Sequence, residues 1–450
     1  MANEFQNEDI DSDGDSEGDS DSEMETIEGD GQQQLVRRTY IPKTINADEE
    51  LDFDESAYIM YRKAQTEYPC LSFDVVEDTI GSGTERSDNY PLTCYLVAGT
   101  QSGKEEGNKI LVLKMSNLNK IKQKDNEESD DEDSDDSDDE DEAQLDFIPI
   151  DHRGCVNRIR STTINGKCLC GSWSESGTVY LWDFTQALNT VDDSLLINEY
   201  MKNKTTIKPI YSFNGHRVEG YGIDWSSLTP GFLATGDCRK NIFIWKPKEG
   251  GVWAVDQKPL PGHKESVEDI QWSPSEANVL ASCSVDQSIR IWDIRAQHST
   301  SCMLTVDKAH DSDVNVISWN KTEKTFIASG GDDGVIKIWD LRHFKSKSPK
   351  PIASFKHHLS HITSVEWHPT DGTVFAASGD DNQLTLWDLA VEKDNENETQ
   401  EQELNQLPPQ LLFIHQGQQE VKEIHWHKQI PGLIISTASN GIDLFTTISV

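Results

Sequence analysis

Apolar residues along most of this chain recur with a period of two in short β-branched runs such as "SIRIWDI" and "VIKIWDL", bounded by Gly, Asp or Asn. That alternation predicts strands with one face buried, and the bounding residues predict tight turns. The runs are organised in a longer unit. "GHKESVEDIQWSPSEANVLASCSVDQSIRIWDIR" from Gly262 and "AHDSDVNVISWNKTEKTFIASGGDDGVIKIWDLR" from Ala309 are one pattern written twice, 47 residues apart. Counted from His263 the shared positions are Trp272, Ser282, Asp286 and Trp292; from His310 they are Trp319, Ser329, Asp333 and Trp339. His216 opens a third copy with Trp225, Thr235, Arg239 and Trp245, and His358 a fourth with Trp367, Ala377, Asp381 and Trp387. Weaker copies run from His152 to Trp182 and from His415 to Phe445. Each unit has room for four strands, and "LTCYLVAGT" with "NKILVLKM", Leu92 to Met115, adds strand pairs for a seventh.

One stretch departs from the period of two. In "DFDESAYIMYRKAQTEYPCLSFDVV", Phe53, Ala57, Met60, Tyr61 and Ala64 lie at helical spacing, the first turn is acidic and Pro69 ends the pattern, so a helix is predicted over 51–69. "LSFDVV" then reads as a strand. The expected arrangement is a helix on the side of the ring and a strand completing its last unit.

The repeat resembles the WD-repeat family over about residues 150–450, which implies an all-β fold: a seven-bladed β-propeller over 70–450, with an acidic insert at 119–144 and an acidic loop at 391–409, preceded by a largely disordered acidic region at 1–50 and the helix. In that family the His, Ser/Thr, Asp and Trp of a repeat form a hydrogen-bonded chain. His263, Ser282, Asp286 and Trp292, and His310, Ser329, Asp333 and Trp339, are complete sets, whereas Arg239 and Ala377 break the chain in two other repeats, which should then rely more on packing. These polar residues are therefore read as structural rather than as a catalytic triad.

"YPCLSFDV" resembles the head of the histone-binding WD-repeat chaperones, the retinoblastoma-binding and chromatin-assembly subunits, although Tyr68 and Cys70 depart from their WPSL-like pattern. "LPPQLLFIHQG", Leu407 to Gly417, resembles their loop ahead of the last blade, where a histone helix lies against an N-terminal helix. The resemblance places a partner groove at Ala57, Tyr58, Tyr61, Glu396, Glu398, Glu401, Glu403, Pro408, Pro409, Leu411, Leu412 and Phe413. It also places a basic peptide tail on the upper face at Glu219, Glu268 and Asn315, while Cys155 and His361 stand where those relatives have carboxylates. "AQTEYPCLSFDVV", "GDCRKNIFIW", "SVEDIQWSP", "VNVISW", "AVEKD" and the terminal "TISV", with the acidic insert, resemble the glutamate-rich WD-repeat branch over about residues 35–450. That implies a protein of the nucleus and nucleolus that carries a large-subunit ribosomal protein to pre-ribosomal particles and also binds histones.

Charge sharpens this expectation. The net charge is −40, and it is concentrated: residues 1–31 hold thirteen acids and no base, and "DNEESDDEDSDDSDDEDE", Asp125 to Glu142, holds fourteen acids in eighteen residues. A polyacid favours basic proteins, whereas binding to phosphate needs clustered Lys and Arg, so no direct nucleic-acid partner is expected. A loop between strands lengthens at small cost, about 0.6 kcal/mol per doubling, so the fold tolerates the tract as a tethered polyanion. Ser129 and Ser137 each begin "SDDE" and are candidate phosphosites. No basic leader and no apolar run of membrane-spanning length occurs, so no membrane contact is expected. The eight cysteines show no CxxC, and His425 and His427 have no third ligand nearby, so neither a metal nor a cofactor is expected. No phosphate loop, nucleophile elbow or HExxH motif appears, which leaves a non-enzymatic chaperone and scaffold as the leading reading. The alternative is a substrate receptor of a cullin-based ubiquitin ligase, because Arg295 and Arg342 complete WDxR patterns and would meet the ligase adaptor.

Overall fold

The computed structural model describes residues 54–104, 107–122, 142–203, 205–392 and 407–450. Seven four-stranded antiparallel sheets follow one another. Blade 1 comprises Cys70–Val76, Leu92–Thr100, Lys109–Leu118 and Gln144–Asp151; blades 2 to 6 begin at Val156, Gly222, Val267, Val314 and Ile362. Blade 7 joins Glu423–Trp426, Leu433–Ala438 and Gly441–Thr447 to Tyr58–Ala64 from the other end of the chain. No helix among the described residues is long and apolar enough to cross a membrane.

The helix expected over 51–69 is corrected here. Residues 51–53 lie outside the described residues; Glu55–Ala57 is a single 3-10 turn and Tyr58–Ala64 is a strand. Its register, Tyr61 opposite Phe445 and Ala64 opposite Ile442, covers the free edge of the last C-terminal strand. Left alone, that edge would present a row of unpaired backbone groups, and closing it outweighs the weak helical preference of a segment containing Tyr58, Ile59 and Tyr61. The strand that completes the last blade is thus this one; "LSFDVV" instead opens blade 1 as its innermost strand.

The blades are tied together around the axis. At six of the seven joints an axis-facing side chain accepts a backbone N–H from the innermost strand of the next blade: Asp74 from Ser161 (2.7 Å), Asp224 from Trp272 (2.6 Å), Asp269 from Ile317 (3.1 Å), Ser318 from Trp367 (3.1 Å), Glu366 from Trp426 (3.0 Å) and Glu423 from Phe73 (2.9 Å). Between blades 2 and 3 the corresponding positions hold Arg158 and Arg160, which have no acceptor to offer. Both instead reach Glu423 Oε1 at 2.6 Å, while Glu423 Oε2 accepts from the Ser72 hydroxyl at 2.6 Å. Glu423 is 1% exposed, and although burial opposes its charge, the two guanidiniums hold its carboxyl well below the usual range.

The repeat networks are more complete than the sequence suggested. In blade 4, Trp292 donates to the Ser282 hydroxyl (2.8 Å), that hydroxyl meets His263 Nε2 (2.7 Å), and His263 Nδ1 meets Asp286 (3.0 Å); His310, Ser329, Asp333 and Trp339 repeat this in blade 5. Ser282 can donate to Nε2 only if His263 is neutral with its proton on Nδ1, and burial does depress the pKa of that imidazole. Arg239 and Ala377 do not break the chain. Asp237, two residues earlier, receives His216 at 2.9 Å, and Thr385, on the next strand, takes the place of the missing hydroxyl, with His358 at 2.9 Å and Trp387 at 2.7 Å. Each substitute reaches the same histidine from a neighbouring turn or strand, so those blades do not depend on packing alone. Asp286→Ala and Asp381→Ala should therefore each strand a buried histidine donor and cost about 1–3 kcal/mol. Denaturant midpoints check this: a fall for Asp286→Ala with none for Asp381→Ala would restore the broken-chain reading.

Candidate partner-binding surfaces

The groove residues that are described fall at the joint of blades 6 and 7. Tyr58 is buried, its hydroxyl 2.8 Å from His415 Nδ1 and its ring edge-on to Phe413 at 5.3 Å. Tyr61 is also buried and donates to Asp443 at 2.8 Å; His415 stacks on Phe445 at 4.2 Å between ring centres. Burial and the Asp443 carboxylate raise both phenols far above their ordinary value, so they remain neutral donors. These rings act here as an intramolecular joint, and the helix that would form one wall of the groove is replaced by the strand. Leu411, Leu412 and Phe413 form the start of the outermost strand of blade 6 and are half-buried, as are Ala57 and Pro408, while Pro409 is exposed. Glu396, Glu398, Glu401 and Glu403, like Ser129 and Ser137, lie outside the described residues.

The joint also organises the roots of both acidic segments. Ile121, just before the acidic tract that begins at Asp125, packs in the same apolar cluster as Tyr58, Leu412 and Phe413, and its N–H donates to Ile59 at 2.9 Å. Pro408 accepts from Leu411 at 3.0 Å as the acidic loop re-enters blade 6. Both segments connect the third and fourth strands of their blades, so by topology they leave from one face of the ring, the underside.

On the upper face, where the histidine-bearing loops lie, Glu219 is exposed and accepts from Asn157 (3.1 Å), Glu268 is half-buried with its carboxyl raised by burial, and Asn315 donates to Asp332 (2.8 Å). Carboxylates absent at the two departing positions stand beside them. Glu175 accepts the Cys155 N–H at 2.8 Å, and Asp380 lies 3.8 Å from His361. Both come from turns after the second strand of their blades, so matching innermost strands alone could not find them.

Other candidate chemistry is absorbed by structure. His425 is clamped 2.9 Å from Glu366, and although burial opposes it, the carboxylates push its pKa up to about 9, so it stands as a cation rather than a ligand; burial drives His427 down to about 3. Among the described residues no group of three or more His, Cys, Asp or Glu is placed to hold a metal ion. Arg295 and Arg342 are exposed and each is bonded back to the Asp of its own WDxR pattern, Asp293 at 2.7 Å and Asp340 at 2.6 Å.

Known proteins fit this geometry. Residues 48–119 match the family of the "Histone-binding protein RBBP4" and its counterpart in the CAF1 complex, and residues 254–293, 301–340 and 349–388 match "WD domain, G-beta repeat". Three relatives align over nearly the whole chain. Glutamate-rich WD repeat-containing protein 1 of Dictyostelium discoideum is 46% identical over 89% of this chain and 82% of its own length. Protein HEAT STRESS TOLERANT DWD 1 of Arabidopsis thaliana is 43% identical over 89% of each. Ribosome assembly protein rrb1 of Schizosaccharomyces pombe is 41% identical over 95% of this chain and 91% of its own length. With its seven blades, the family match at residues 48–119 and these relatives, the chain belongs to the glutamate-rich WD-repeat family of β-propeller proteins.

Proposed function

We propose that this chain is a non-enzymatic chaperone and scaffold that carries a basic client, a large-subunit ribosomal protein, to pre-ribosomal particles in the nucleus and nucleolus, and binds histones as a secondary activity. The observation that carries the reading is the shared root of the two acidic segments: one apolar cluster, with Tyr58, Ile121, Leu412 and Phe413, anchors the chain beside both. A client seated near that joint meets carboxylates from two directions, and the propeller supplies shape while the acids neutralise charge. Likeness to the ribosome assembly protein of Schizosaccharomyces pombe supports ribosome assembly, and the matched head supports histones. The upper face, with Glu219, Glu268 and Asn315 joined by Glu175, Asp332 and Asp380, is the second docking surface. The ubiquitin-ligase reading is not favoured, because both WDxR arginines have their charge satisfied within their own repeat.

Purification of tagged full-length protein, with mass spectrometry of salt-resistant partners, tests the reading. A ribosomal protein and core histones are expected, and a ligase adaptor in their place would contradict it. In parallel, the Glu396→Gln, Glu398→Gln, Glu401→Gln, Glu403→Gln variant should bind the recovered client more weakly and with less salt dependence in calorimetry. Unchanged affinity would move the docking site to the upper face.

A further inference from the structure

The underside is not uniformly acidic. From Leu341 to Val365 the chain carries no Asp or Glu in 25 residues, where 80 acids in 450 would place about four, and it carries Arg342, Lys345, Lys347, Lys350 and Lys356. All but Lys356 lie in the connection between the third and fourth strands of blade 5, Ile336–Asp340 and Ala353–Phe355. That connection is built rather than loose. Leu341–His343 is a 3-10 turn capped by Asp340, the buried Phe344 packs edge-on against Trp339 at 6.2 Å, and the Ile352 N–H returns to Ile338 at 2.8 Å. With Phe344 pointing inward, Lys345, Lys347 and Lys350 are left exposed. The loop between the first two strands of the same blade lies at the same end, tied by the Leu341 N–H to Thr325 at 2.9 Å, and adds Lys321 and Lys324. Lys321 also lines the mouth of the axial cavity, so the lysines run outward from the axis to the rim. None of these five lysines has a carboxylate within 4.0 Å among the described residues; Arg342 is neutralised by Asp340, and Glu323 is the one acid within the two loops.

We infer that this sector of blade 5 binds the phosphodiester backbone of a nucleic acid, with Lys345, Lys347 and Lys350 as its principal contacts. A protein partner would require an apolar centre, and Ile352 is the only large exposed hydrophobe in the connection, whereas a phosphate backbone requires only clustered, unpaired cations. No exposed Phe, Tyr or Trp stands in either loop to stack a base, and His343 is the one exposed ring, so contact is mainly to phosphate, largely independent of sequence and steeply dependent on salt. The −40 net charge behind the expectation of no nucleic-acid partner sums over a surface that segregates its charges. This contact goes beyond client carriage and does not depend on it.

The test uses full-length protein without client and fluorescence anisotropy of a labelled 20-base-pair RNA duplex and its DNA counterpart, at 50 and 150 mM salt. Both should bind at 50 mM and weaken strongly at 150 mM. The Lys345→Gln, Lys347→Gln, Lys350→Gln variant should bind at least tenfold more weakly at 50 mM, with its logarithmic salt slope reduced by about 2 to 3. A control with Lys208→Gln, Lys258→Gln and Lys264→Gln should change less than twofold, and tryptophan-fluorescence melting should match the parent for both variants. Absence of wild-type binding, an equal loss in the control, or displacement by polyglutamate as effective as by unlabelled RNA would overturn the inference. None of these outcomes bears on client binding.

Discussion

Replacing Glu423 with glutamine should destabilise the propeller by about 3–5 kcal/mol, the largest effect expected of any single conservative substitution in this chain. The carboxylate is almost wholly buried, and four donors from two blades converge on it: Arg158, Arg160, the Ser72 hydroxyl and the Phe73 N–H. Glutamine keeps the shape but removes the charge that compensates two guanidiniums in the channel wall. The joint between blades 2 and 3 has exchanged its backbone acceptors for these arginines, so the penalty falls where the ring has least else around its axis. The loss measures stranded charge rather than the worth of the cluster. Replacing Arg158, Arg160 and Glu423 together with Met, Met and Leu should therefore recover much of it. Denaturant midpoints of the parent, the single variant and the triple variant decide the matter: a single variant within about 0.5 kcal/mol of the parent would mean that Glu423 does not hold the ring.

What the sequence made legible follows from physical range. The 47-residue period, the four-strand unit and the blade 4 and blade 5 networks are repeated local patterns, so Trp272, Ser282 and Trp292 could be placed by offset alone. Tyr58–Ala64 could not, because its fate depends on the vacant edge of a strand more than 370 residues away, and Met60, Tyr61 and Ala64 satisfy helical spacing as well as pairing with that edge. The replacements at Asp237 and Thr385 escaped for a related reason: offset matching asks what stands at one position, whereas the histidine accepts whichever carboxylate or hydroxyl reaches it. Arg158, Arg160 and Glu423 look like ordinary charged residues of alternating strands, and only closure of the ring brings them together. For the candidate surfaces, the resemblance indicated the joint of blades 6 and 7 through "LPPQLLFIHQG" but assigned Tyr58 and Tyr61 to a groove wall, where the structure has them packed within the chain. The lysines of blade 5 were hidden by a charge total dominated by 27 acids in two short segments.

Deletion of residues 125–142 should have the largest functional effect. The tract is −14 before modification, and phosphates on Ser129 and Ser137, each about −1.5 to −2 at neutral pH, would take it to roughly −17 or −18. A basic client has dense Lys and Arg that otherwise seek nucleic acid, and the tract competes for those charges by the same counterion release that drives binding to phosphate. The chain enters this segment through Ile121, which packs with Tyr58 and Phe413. The direct measurement is to load full-length protein with its basic client, titrate in RNA at fixed salt and follow client release for the wild type, its phosphorylated form, the Ser129→Ala/Ser137→Ala variant and the deletion. RNA should strip the client most easily from the deletion and least easily from the phosphorylated wild type; a deletion that holds its client as well as wild type at both low and physiological salt would contradict the account and leave the tract as a solubility spacer.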